Sequence, residues 1–68
     1  IEGEIVSPYP TLKIRWGYNG IITQCNTQLY GNYNFNNILA AIATGIYFGV
    51  DEKTINESIE GYVSDNNR

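Results

Sequence analysis

The chain has 68 residues, a net charge of −3 and only four basic residues, Lys13, Arg15, Lys53 and Arg68. That length holds one small domain at most, close to the lower limit of independent stability. One cysteine, Cys25, and no histidine exclude an internal disulfide and a Cys/His zinc site, and so few basic residues leave no patch for neutralising nucleic-acid phosphates.

The first element is EIVSPY, a short strand that ends at Pro8 or Pro10. Proline donates nothing to a ladder, so this strand is interrupted or lies at an edge. In TLKIRW, Leu12, Ile14 and Trp16 alternate with Lys13 and Arg15, the period of two of a half-buried strand. Trp16 shares a face with Leu12 and Ile14 and reads as core rather than as a ligand stacker. Asn19-Gly20 then marks a tight turn, because both residues accept positive φ. The next strand runs from about Ile21 to Tyr30, with Ile21, Thr23, Cys25, Thr27 and Leu29 on one side. Residues 11–30 are predicted to form an antiparallel hairpin, or a three-stranded meander together with residues 3–7. Cys25 has no helix N-terminus or basic neighbour to activate it, so it is not expected to be a nucleophile.

A first helix is predicted over 34–49. Phe35, Ile38, Leu39, Ile42 and Ile46 fall at spacings of three and four and make one apolar stripe. Ala40, Ala41 and Ala43 raise helix propensity and would let a neighbour approach closely. Gly49 is placed to end the helix as its C′ residue. The apolar run over 38–50 is too short to span a bilayer. A second helix is predicted over 51–61, with Asp51 as N-cap, Glu52 in the positive first turn, and Ile55, Ile59 and Tyr62 or Val63 at helical spacing. The short connection makes the two helices neighbours. Glu57 and Glu60 read as a solvated face rather than an acid pair. Tyr47 and Phe48 read as helix packing or as surface. Residues 62–68 read as a linker.

GNYNFNN, residues 31–37, enters the first helix through four asparagines, where capping needs one. Asparagine caps helices and makes Asx-turns, so one of Asn32, Asn34 and Asn36 is expected to be the cap. A binding role is the second reading. A helix N-terminus offers free N–H groups and the positive dipole end, Gly31 permits close backbone approach, and Asn34 and Asn37 share a face.

The run Gly31-Asn32-Tyr33-Asn34-Phe35-Asn36-Asn37-Ile38-Leu39-Ala40-Ala41 also resembles a helix-opening pattern of the Mur ligase family, Gly-x-His-Asn-x-x-Asn-x-Leu-Ala-Ala. In the pattern a Gly-Val pair, a second helix and an Asn-Arg segment follow, as Gly49-Val50 and Asn67-Arg68 do here. The resemblance is specific over 29–68, and residues 1–28 would be the small antiparallel sheet that precedes the motif. It implies that the chain is the C-terminal part of a central, ATP-binding domain. The Asn-Asn-Arg ending looks most like the ligases that join D-alanyl-D-alanine to UDP-N-acetylmuramoyl-tripeptide. By the resemblance, Asn34 and Asn37 lie at the ATP site and Arg68 contacts ATP phosphates, for which an always-charged planar fork is suited. The family often has His where this chain has Tyr33. Its Gly-Lys-Thr phosphate loop, magnesium-binding carboxylates and carbamylated lysine do not occur here.

The expected fold is α+β: a small antiparallel sheet followed by two packed helices, a fragment of a larger α/β domain. The chain opens on Ile1 and closes on a polar stretch, and it is expected to be a piece of a longer protein. The resemblance makes that parent a cytoplasmic enzyme using ATP and magnesium. Its partners are a UDP-linked muramoyl peptide and D-alanyl-D-alanine, with no nucleic acid and no membrane insertion. The 68 residues alone are expected to be inactive, to hold no catalytic or metal residue and no bound cofactor, and to self-associate through a sheet edge or helix face. A different Mur-type ligase or a folylpolyglutamate synthase is the alternative enzyme, and a small non-catalytic interaction domain is the alternative from another class.

Overall fold

The computed structural model describes residues 1–62, so Val63 and Arg68 lie outside the described residues. Three strands form an antiparallel meander: β1 (Glu2–Ser7), β2 (Lys13–Tyr18) and β3 (Ile21–Asn26), with β2 central. Two helices follow, α1 (Asn34–Tyr47) and α2 (Glu52–Glu60). The architecture is α+β, with the helices packed against one face of the sheet.

The β2–β3 hairpin closes on Tyr18↔Ile21, and the two residues between them, Asn19 and Gly20, have φ of 55° and 81°. Positive φ at both central positions is the mark of the turn whose twist matches the flanking strands. The register pairs Ile14 with Cys25 and Trp16 with Thr23, so apolar positions of neighbouring strands land on one side. On the other side Glu4, Arg15 and Gln24 stand in one cross-strand row, with an ion pair between the Arg15 guanidinium and the Glu4 carboxylate. Both partners are exposed, so the pair contributes little to stability. Along β1 the register shifts between Ile5 and Ser7, just before the prolines that end the strand.

β3 is shorter than its alternation implies. Cys25, Thr27 and Leu29 are all buried, as the period of two requires, yet the regular ladder stops at Asn26. Beyond it the Leu12 N–H donates to the Leu29 carbonyl at 2.8 Å, and the Thr27 N–H donates to the Leu12 carbonyl at 3.1 Å. The Thr27 hydroxyl donates to the same Leu12 carbonyl at 2.6 Å and accepts from the Leu29 N–H at 3.2 Å. A side chain thus takes over part of the ladder, which satisfies the backbone without extending the strand.

The core lies between the sheet and the helices: Leu12, Ile14, Trp16, Cys25, Leu29, Ile38, Ile42 and Ile55, with Phe35, Leu39, Ile46 and Ile59 packed around it. The α1 stripe read from spacing is therefore the buried face, and Trp16, 1% exposed, is core. Tyr62 does not join the α2 stripe, since it lies exposed beyond the helix end. Tyr47 and Phe48 are surface rather than helix packing, touching each other edge to face at 5.1 Å.

Close approach between elements falls on glycines, not on the alanines, which are exposed. A Cβ on Gly45 would stand 3.0 Å from Ile55 Cδ1, and one on Gly3 would stand 2.7 Å from Leu39 Cδ2. Gly45 is where α1 and α2 meet, and Gly3 is where α1 overlies β1. α1 ends at a Phe48 C-cap with Gly49 at φ 81°. The Gly49 N–H donates to the Ile46 carbonyl at 3.0 Å and the Val50 N–H to the Gly45 carbonyl at 2.9 Å, the double closure of a Schellman motif. Asp51 is the N-cap position of α2, as its place before Glu52 indicates.

Candidate functional site

The asparagine run forms a tight turn that delivers the chain into α1. Gly31 has φ +88°, a conformation that favours glycine. The Asn34 N–H donates to the Gly31 carbonyl at 3.2 Å and the Phe35 N–H to the Asn32 carbonyl at 2.9 Å. Tyr33 occupies the N-cap position with helical dihedrals, φ −65° and ψ −17°, and makes no side-chain cap.

None of Asn32, Asn34 and Asn36 is therefore the cap. A capping side chain reaches the free N–H groups from an extended backbone. Here the residue at that position is already helical, and carbonyls of the preceding turn take two of the early donors. The same bonding removes donors that an anion at the helix end would use, so the N-terminus of α1 is less open than a bare helix end.

Asn34 and Asn37 stand three positions apart at the start of α1, as the spacing indicates, but they are not equivalent. Asn34 is half-buried, and its Nδ2 donates to the Tyr30 carbonyl at 2.7 Å, tying the helix start back across the turn. Asn37 is exposed, and its carboxamide makes no hydrogen bond among the described residues. The space above Gly31 is occupied from within the chain: a Cβ there would fall 2.5 Å from Tyr33 Cε2. Tyr33 stays 77% exposed while its ring edge covers the glycine. The close approach that Gly31 permits is thus used by Tyr33. Arg68, the third residue implied at the site, lies outside the described residues.

A second group of polar contacts, not predicted from the sequence, holds α2 to the sheet. The Trp16 indole N–H donates to Asn56 Oδ1 at 2.8 Å, and Asn56 Nδ2 donates to the Gln24 carbonyl at 3.1 Å. Asn56 is buried beside Ile55, at the helix position facing the indole. A buried tryptophan needs an acceptor, and an Asn next to an apolar stripe residue was the available signal. At the end of α2 the Glu60 carboxylate accepts the Asn26 N–H at 2.9 Å, while its backbone carbonyl accepts Gln28 Nε2 at 2.8 Å. Glu60 is accordingly a clamp on β3 and not part of a solvated face; Glu57 is exposed as expected.

The electrostatics of this region disfavour chemistry at Cys25. Burial, and then the Glu60 carboxylate, push its thiol up to about 12, so it stays protonated near neutral pH. Beside it, Thr23, Lys53, Asn56, Glu57 and Glu60 line an open groove between β3 and α2. Among the described residues no three His, Cys, Asp or Glu side chains come together as metal ligands. Among the described residues, no helix is long and apolar enough to cross a membrane. No family model matches the chain, and no curated protein and no solved structure matches it.

Proposed function

We propose that the chain forms one wall of the nucleotide pocket of an ATP-dependent ligase of the Mur type. The observation that carries this reading is the exposed carboxamide of Asn37, unbonded among the described residues, in the first turn of α1, opened by a motif that resembles the family's. A carboxamide there can hydrogen-bond a ribose or a base edge. Asn34 would support the site by fixing the turn, its Nδ2 being committed to the Tyr30 carbonyl. Arg68 would pair with phosphate oxygens. The parent reaction would join D-alanyl-D-alanine to UDP-N-acetylmuramoyl-tripeptide in the cytoplasm, through an acyl phosphate made from ATP. The phosphate clamp and metal would come from elsewhere in the parent, so these residues alone would carry no activity.

The test is the Asn37→Ala substitution in the protein that contains this segment. ATP affinity should fall roughly 5- to 30-fold, the worth of one or two hydrogen bonds, with the unfolding midpoint unchanged. An unchanged affinity for ATP would remove Asn37 from the pocket.

A non-catalytic interaction domain is the second reading. One feature favours it: every buried side-chain polar atom among the described residues has a partner. Retained unfolding cooperativity in the isolated 68 residues, with no ATP binding in the intact protein, would support this reading over the first.

A further inference from the structure

We draw no further inference here: the strongest candidate, the exposed apolar pair Ile1 and Ile21 at the hairpin end of the sheet, is a face with nothing in the structure to show what covers it.

Discussion

Trp16 and Asn56 lie 40 positions apart in the chain and are joined by one hydrogen bond in the core. Trp16→Phe leaves the Asn56 oxygen without its donor, which should destabilise the fold by about 1–3 kcal/mol beyond the lost packing. Denaturant unfolding of Trp16→Phe, Asn56→Leu and the double variant checks this, because the two single effects should sum to more than the double one. Cys25 gives a second residue-scale outcome. Its thiol is raised to about 12 in the fold and titrates lower in the unfolded chain, so the neutral form is favoured by folding. The contribution is fully present below the unfolded value and is lost as pH rises towards 12. Iodoacetamide should therefore label Cys25 at pH 8 only as fast as the chain opens, and rapid labelling of folded protein would contradict its burial. Asp51 has the opposite sign. The Thr54 hydroxyl beside it holds its carboxyl below the ordinary value of 3.8, although the contact does not close a capping hydrogen bond of full geometry. Its stabilisation is present above that ordinary value and lost as pH falls through the depressed one. Asp51→Asn should flatten the acid limb of the stability profile.

At the scale of elements, glycines divide by what they do. Gly49 has φ 81° and open space around it, so Gly49→Ala should cost about 1–2 kcal/mol from backbone conformation alone. Gly45→Ala meets Ile55 at 3.0 Å instead. Its overpacking cost of about 1–3 kcal/mol is set against the roughly 1 kcal/mol of helix propensity that alanine adds. The balance should still be destabilising, read as a lower thermal midpoint. Elements with strong local signals were legible in the sequence: the α1 stripe, the Asn19-Gly20 turn, the glycine stop at Gly49 and the cap position of Asp51. Each depends on residues close together in the chain. The end of β3 was not legible, because Thr27 replaces ladder bonds with its side chain, a bond to Leu12 that spacing cannot show. The entry to α1 was misread because asparagines that ordinarily cap instead follow a turn whose own carbonyls take the donors.

For the whole molecule, the order meander then helices follows from the sequence, whereas the contacts that lock the layers together do not. Asn56, Glu60 and Gly3 each act on a partner far along the chain, and nothing in their local pattern marks them. The candidate site shows the same division. That Asn34 and Asn37 stand together at the start of α1 was legible, but their difference was not: Asn34 is bound to Tyr30, whereas Asn37 makes no hydrogen bond among the described residues. That difference underlies the proposal of a nucleotide-pocket wall, which requires further chain to supply the phosphate clamp and metal. The most direct measurement is the sequence of the coding region on both sides of these 68 residues. The proposal expects a Gly-Lys-Thr phosphate loop upstream and a further domain after Arg68. A start codon directly before Ile1 with a stop directly after Arg68 would contradict it and leave the asparagines as elements of a turn.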